Sequence, residues 1–401
     1  MIMMKPSPSS DKPVVILLGN YPLDRQESML RFWHLMESEL VSRGFSVESI
    51  FPRGYFGRIL QKGGLAKWLA YIDKYILFPP RLAMELSRIK RKYRDRKIVV
   101  HICDHANAVY AALARNWFPV LVTCHDLLAV RGARGEDTYC PASGFGKYLQ
   151  AAILSGIGHA TLVACVSRAT QADLVRLSDP SMTERSEFIP LALNYPYRPL
   201  PREEALRILT RAGAALPFRG FVLHVGSGNP RKNREALLLA VARIKDSWPG
   251  KIVFAGDPFS TAEQNLARSL GLEDRIHGIS RPDNETLLAL YNAAHGLIFM
   301  SHTEGFGWPI LEAQASGCPV ICSNRTSVPE VAGEGGLIHE PDAYGEIAGD
   351  IQHLENPAFR DQVIALGFKN AQGYTSERMM EAYQEAYRRI SDEKKITQPR
   401  A

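Results

Sequence analysis

The stretch from Ser301 to Gly336, SHTEGFGWPILEAQASGCPVICSNRTSVPEVAGEGG, sets two carboxylates around a glycine-rich lead-in to a short helix. Before it, GLIFM (296–300) is an apolar run of strand length, and Pro319 to Ser323 is another, so the segment reads strand, loop, helix, strand. Pro309 suits the first helical turn, where its missing N–H costs nothing, and Gly317 suits a left-handed cap at the end. Glu304 is therefore expected on the loop and Glu312 inside the helix. The free amides of the first turn and the positive end of the helix dipole face whatever binds beyond the strand. Gly305 and Gly307 let the backbone approach it closely.

A second motif lies upstream in FVLHVGSGNPRKN (221–233), where a strand ends in small residues and hands over to the amphipathic run REALLLAVARIK (234–245). The chemistry indicated is anion binding. Gly226 and Gly228 permit a tight turn, and Arg231 and Lys232 bring cations to the mouth of a helix that already attracts negative charge. A lysine at a helix N-terminus opposes the dipole unless an anion compensates it. A basic N-terminus capped by Asn229 or Asn233 would produce the same pattern.

The pair Glu304 and Glu312, with these glycines and proline, resembles the E-x7-E motif of the family 4 retaining glycosyltransferases. Taken alone, the spacing is also satisfied by a loop acid that caps the helix and a solvated helix residue. The resemblance implies that Glu304 with Gly305, Phe306 and Gly307 grips the donor sugar while Glu312 accepts hydrogen bonds from the ribose of the nucleotide. Family members commonly read G-R-x4-K at the second motif, with Arg and Lys on the donor diphosphate. Here Ser227 occupies the first cationic position, Lys232 keeps its spacing from Gly226, and the partner role passes to Arg231. The implied fold is GT-B, two doubly wound Rossmann-like parallel-sheet domains facing each other across a cleft. The donor is a nucleoside-diphosphate sugar acting as co-substrate, with no cofactor and no metal. The run SNRTSVPEVAG resembles mannosyltransferases of the family and favours GDP-mannose over UDP-glucose and related donors.

The rest of the chain supports that architecture. Its 401 residues are too many for one ordinary core. In the first half, strand signals (VVILLGN, FSVESIF, KIVVHIC, PVLVTCH, TLVACVS, SEFIPLAL) alternate with helical periodicity. In the second half FVLHVG, KIVFAGD, RIHGI, GLIFMS, PVICS and GLIHE do the same. NYPYRPLPR (194–202) has linker composition, with three prolines and no periodicity. The expected division is an acceptor-side domain over 1–197, a nucleotide-sugar domain over 198–375, and a helix within 376–401 that crosses back to the first domain. A hydrophobic content of 46% and charged content of 22% describe a soluble globular protein. The polar, proline-bearing start through Pro13 reads as a disordered tail, and no apolar run approaches the ~20 residues of a membrane span. The six cysteines lack metal-ligand or disulfide spacing and read as reduced thiols of a cytoplasmic protein.

In the first domain the leading candidate is His125 in PVLVTCHDLLAV, at a strand end. Relatives carry a His at an equivalent strand end that reaches the donor sugar, and Asp126 is expected to orient the ring. His101, Asp104, His105 and Asn107 in HICDHANAVY have metal-like composition but are read as capping and acceptor-binding residues. Gly19 and Asn20 close the first strand on the floor of the donor site, and Gln26 and Ser28 are acceptor or phosphate candidates. From Arg53 to Lys97 the chain is rich in Arg and Lys interleaved with aromatic residues, and the whole chain carries +6. Such a mixture suits an anionic membrane surface on the inner face and an acceptor that is a glycan or is carried on a lipid. A solvated basic face is the plainer alternative, and nucleic acid is disfavoured by the absence of a recognised motif. Two other classes remain open: a non-catalytic sugar-nucleotide or glycan binder, and a phosphorylase or epimerase on the same fold. Glycoside hydrolysis by two carboxylates is rejected, because the cationic turn has no use there.

Overall fold

A computed structural model describes residues 12–24, 26–60, 64–214, 216 and 220–392. The tail reading falls largely on residues 1–11, outside the described residues, as does the end of the last segment, 393–401. The chain forms two compact units. The first gathers the described residues through 135, those of 142–190, and those from 376 onward; the second gathers 136–141 and 191–375.

The first unit holds a six-stranded, all-parallel sheet. Its strands are β1 (Val14–Leu18), β2 (Val47–Ile50), β3 (Ile98–Ile102), β4 (Val120–Cys124), β5 (Leu162–Cys165) and β6 (Ser186–Phe188), in the order β2-β1-β3-β4-β5-β6. β1, β3, β4 and β5 are buried along their whole length. A parallel sheet covered by helices on both faces requires unbroken apolar runs of this kind, not alternation. The second sheet uses β7 (Phe221–Gly226), β8 (Lys251–Gly256), β9 (Ile276–Ser280), β10 (Gly296–Phe299), β11 (Val320–Ser323) and β12 (Gly336–His339), in the order β12-β11-β10-β7-β8-β9, again parallel. In each sheet the strand order reverses once, between β1 and β3 in the first and between β7 and β10 in the second. Open α/β sheets bind ligands beyond the carboxyl ends of the strands at that reversal.

The helix Ser376–Asp392 packs on the first unit through Met379, Met380, Tyr383, Ala386, Tyr387 and Ile390, one stripe at helical spacing. Its polar anchor is a buried chain: the Tyr387 hydroxyl bonds His101 Nδ1 at 2.7 Å, His101 Nε2 bonds Thr123 Oγ1 at 2.8 Å, and Thr123 Oγ1 bonds the Tyr383 hydroxyl at 2.9 Å. His101, read from sequence as part of an acceptor-binding cluster, is instead a fully buried anchor of this helix. Burial pushes its pKa down to about 3, so the ring is neutral.

The proline-rich run 191–201 lies with the second unit. Asn292 holds it from both sides, accepting from the Leu200 amide at 2.7 Å and donating to the Arg198 carbonyl at 3.0 Å. Tyr197 packs edge-on against Tyr291, and the Trp308 indole donates to the Ala192 carbonyl at 3.0 Å. All six cysteines are free thiols, five of them buried.

Candidate functional site

Two loops meet at the reversal of the second sheet. The loop after β7 runs from Gly226 into a single 3-10 turn, Pro230–Lys232, capped by Asn229, whose side chain accepts from the Arg231 amide at 3.0 Å. Asn233 then takes a left-handed conformation, and the helix Arg234–Arg243 begins. The loop after β10 carries Ser301 to Gly307 and ends in the helix Trp308–Ala315, with Pro309 in its first turn and Gly307 at φ 120°, a region that favours glycine. The two loops are joined by backbone: the His302 amide donates to the Arg231 carbonyl at 2.8 Å.

Their side chains form an ion cluster. Glu304 Oε1 accepts from Lys232 Nζ at 2.5 Å, and Oε2 accepts from Arg231 Nη1 at 2.9 Å. Arg231 Nη1 also reaches the Thr303 carbonyl at 2.9 Å. Glu304 is 8% exposed. Burial alone would push its carboxyl up, but the charges of Lys232 and then Arg231, with their hydrogen bonds, hold it down at about 2. Lys232 also lies 5.1 Å from the Phe299 ring centroid. Gly226 lies beside the lysine, where a Cβ would be in ordinary contact with its Cδ and Cε at 3.6 Å. Ser227, at the first cationic position of the family pattern, is half-buried on the same loop and adds a hydroxyl there.

Glu312 is 3% exposed inside its helix, and its Oε2 accepts from the Tyr291 hydroxyl at 2.7 Å. It is not the solvated helix residue that the bare spacing also allows. Gly305 and Phe306 complete the turn. Phe306 is buried and packs edge-on against Tyr374. The loop after β11 buttresses this turn: Thr326 Oγ1 accepts from the Glu304 amide at 2.9 Å, and Ser327 Oγ lies 3.0 Å and 2.8 Å from the carbonyls of Glu304 and Phe306.

Sequence reasoning did not single out these supports. Thr326 and Ser327 sit in a run noted only for its likeness to relatives, and Tyr291 lies on an apolar helix stripe where nothing marks its hydroxyl. Asp257, after β8, accepts from the Gly228 amide at 3.1 Å. Buried Arg234 donates to the Asp257 carbonyl at 3.2 Å and pairs with Glu263 at 3.1 Å. An acid at the end of a neighbouring strand was the one available signal.

In the first unit the loops after β1 and β3 meet at the reversal in the same way. Asn20 Nδ2 donates to Gln26 Oε1 and to Asp104 Oδ2, each at 2.5 Å, and Asn107 Nδ2 donates to Asn20 Oδ1 at 2.9 Å. Asp104 Oδ1 caps the following turn at the Ala106 amide and lies 3.2 Å from His105 Nδ1. Burial works against the Asp104 carboxylate. His105 and His125 nearby, with the bonds from Ala106 and Asn20, outweigh it and hold the carboxyl below its ordinary value. Gly19 has no room for a side chain, since a Cβ would collide with the Phe51 ring. Ser28 lies exposed in the first turn of the helix Glu27–Ser42, and no bond joins it to this network among the described residues.

His125 lies at the end of β4 but is only 6% exposed, edge-on to Phe32 at 4.9 Å. Its Nε2 bonds the Cys103 carbonyl at 2.9 Å. Asp126 does not orient it, contrary to the sequence reading. That carboxylate accepts from the Leu128 amide at 3.1 Å, and its backbone carbonyl accepts from the Cys124 thiol. Burial lowers the His125 pKa, with Asp104 opposing, and the bond to a carbonyl makes Nε2 the protonated nitrogen.

A buried, cation-clamped carboxylate beside a strand-end turn, with a second buried carboxylate eight residues on, is a pattern that comparison can test. Residues 217–369 match the family model of glycosyl transferases group 1. The chain is 30% identical to O-antigen chain mannosyltransferase B of Escherichia coli over 58% of its own length and 61% of that protein. It is 29% identical to D-inositol 3-phosphate glycosyltransferase of Corynebacterium glutamicum over 57% of each. It thus spans about three-fifths of the length of these two relatives. Among solved structures, sucrose-phosphate synthase from Thermosynechococcus elongatus superposes with TM-score 0.71 at 22% identity, covering 94% of this chain and 99% of that one. Anabaena HepE in complex with UDP and glucose superposes with TM-score 0.65 at 17% identity, covering 93% and 98%. The fold is GT-B.

Proposed function

We propose that the protein is a retaining glycosyltransferase of family 4 that moves a hexose from a nucleoside-diphosphate sugar to a glycan or lipid-linked acceptor. The observation that carries this reading is the cluster of Glu304, Lys232 and Arg231 at the strand-order reversal of the second sheet. A departing nucleoside diphosphate gains negative charge as the bond to the anomeric carbon breaks. Fixed cations in a dry site stabilise that charge without reorganising, and the loss of one such donor commonly costs about 10²–10³ in rate. Lys232 and Arg231 are assigned to the diphosphate, with Ser227 beside them. Glu304 with the turn Gly305–Gly307 is assigned to sugar hydroxyls, and Glu312, positioned by Tyr291, to the ribose. Donor binding exchanges the Lys232 and Arg231 contacts with Glu304 for contacts with phosphate, and frees the carboxylate for the sugar. The acceptor attacks the face the leaving group departs from, and a phosphate oxygen takes its proton, so no protein base is required.

The first unit is assigned the acceptor side, through Gln26, Asp104, His105 and less directly Ser28. Gly19, at the end of β1 with Asn20 beside it, is assigned to the donor, and His125 orients the donor sugar. Mannose is favoured as the transferred sugar by the likeness to the O-antigen mannosyltransferase. A membrane-borne acceptor is favoured by the surface of residues 53–97, though not chiefly by its charges. Lys92 pairs with Glu48 at 2.7 Å, Arg88 with Glu85 at 2.9 Å, Arg94 with Asp95, and Lys97 with Asp392. More telling are Ile59, Leu65, Trp68, Ile76 and Met84, each more than half exposed. Among the described residues no helix is long and apolar enough to cross a membrane, so contact would be peripheral, on the cytoplasmic face. The deciding experiment follows sugar transfer and nucleoside-diphosphate release from a panel of sugar nucleotides with parent and Lys232→Ala protein. No release from any donor, or equal release by the variant, rejects the reading.

A further inference from the structure

The first unit contains an apolar groove that none of the assignments above uses. It lies between the helices Leu128–Ala133 and Gly144–Gly158 and the turn Leu177–Met182, with a volume of about 520 Å³. Binding pockets for small molecules typically measure about 300–1,000 Å³. Val130, Ala133, Ala151, Leu154, Leu177 and Met182 form its walls. Its polar lining is Arg134, Lys147, Gln150, Ser155, Ser178 and Asp179, two cations against one acid. Arg134 and Lys147 stand exposed along it, and among the described residues neither is paired with a carboxylate. The one acid of the lining, Asp179, accepts from the Ser181 amide at 2.9 Å and is paired with neither cation. Ser178 Oγ is buried on the groove without a hydrogen-bond partner, an uncommon state for a hydroxyl. A hydrocarbon chain satisfies the walls, and an anion satisfies the two cations.

The groove's second helix also carries the aromatic surface. Phe145 and Tyr148 are 43% and 72% exposed, and Phe145 lies 5.1 Å from Trp68 and 5.4 Å from Tyr71. Positions 147, 150, 151 and 154 face the groove while 145 and 148 face the aromatic side, so one helix turns adjoining faces to both. Aromatic side chains of this kind favour the boundary between water and lipid.

We propose that this groove holds the hydrocarbon chain of a phosphorylated lipid acceptor, with Arg134 and Lys147 on its phosphate. The proposal deepens the lipid-linked acceptor reading and rests on it for the identity of the occupant. The binding itself is testable without sugar transfer. Calorimetry with n-decyl phosphate below its micelle concentration should show one site per chain, while inorganic phosphate and decyltrimethylammonium should show none. Ala151→Trp, at an exposed wall position, should weaken decyl phosphate at least tenfold. The double change Arg134→Glu with Lys147→Glu should do the same and covers the case in which the tryptophan disturbs folding, which circular dichroism would reveal. Decyl phosphate binding that survives both variants, or inorganic phosphate binding as tightly as decyl phosphate, overturns the site. Loss of sedimentation with phosphatidylglycerol vesicles in Ala151→Trp would instead assign the groove to a bilayer lipid and overturn the acceptor assignment. A protein that binds decyl phosphate but releases no nucleotide from any sugar donor would keep the groove and refute the transferase.

Discussion

Replacing Lys232 with methionine removes a charge and keeps most of the side chain's volume, so its effects isolate the ion cluster. Glu304 is held at about 2 against an ordinary 4.5, a difference worth roughly 3 kcal/mol of folding stability near neutral pH. Lys232 is the largest charge holding it there, and Arg231 at 2.9 Å remains in the variant, so a loss of about 2 kcal/mol at pH 7 is expected. The pH dependence has a definite sign. A carboxyl whose folded value is depressed stabilises the protein above its unfolded value and loses that contribution as pH falls from about 4.5 towards 2. The stability gap between parent and variant should therefore shrink to roughly half by pH 3. Urea unfolding followed by circular dichroism at pH 7 and pH 3 measures it. The two units need separate transitions in the fit, because a two-unit chain need not unfold in one step. A gap that does not change with pH, or a variant as stable as the parent at pH 7, would refute the electrostatic account of this cluster. The same variant should lose about 10²-fold or more in transfer rate.

Three further outcomes are expected. Glu312→Ala should weaken nucleoside-diphosphate binding in calorimetry by about 1.5–3 kcal/mol, the worth of a hydrogen bond to a charged group, while Glu304→Ala should leave it nearly intact and depress turnover. Turnover should survive EDTA if Lys232 and Arg231 supply the charge opposite the diphosphate as proposed; restoration only by Mg²⁺ or Mn²⁺ would contradict this. Tyr387→Phe should cost about 1–3 kcal/mol in unfolding free energy, because it leaves His101 Nδ1 buried without its partner, and should free the last helix to exchange its amides faster by mass spectrometry.

The central strands were legible in the sequence because parallel strands buried on both faces are written as short unbroken apolar runs such as VVILL, IVVHI and VLVTC. The positions of Glu304, Glu312, Pro309 and Gly317 were legible for a related reason: loop, first turn and cap each have residue types suited to them. What stayed hidden depends on contacts between distant segments. Nothing local distinguishes a histidine that faces substrate from His101, whose two nitrogens are taken by Tyr387, 286 residues away, and Thr123. The linker composition of 194–202 signalled a lack of periodicity, yet Asn292 determines where that run lies. The pairing of the basic stretch was hidden because charge is counted along the chain, while Glu48, which meets Lys92, comes from β2.

The sheet order explains why the residues of the ion cluster are so far apart in the chain. Lys232 and Glu304 are 72 residues apart and meet only because β10 returns to lie beside β7, after the chain has built β8 and β9 on β7's other side. The connections leave these two strands in opposite directions, and the loops that follow them border a crevice at the reversal while meeting through the His302 amide and the Arg231 carbonyl. Any group on either loop, within a side chain's reach of the crevice, can serve a ligand there. Under the proposed assignment the cation missing at position 227 is replaced by one at 231, four residues further along the same loop, where the Arg231 guanidinium reaches both the Glu304 carboxylate and the Thr303 carbonyl. The chemistry is tied to the crevice more strictly than to a position in the motif. That is why the departure at Ser227 leaves the anion-binding reading intact.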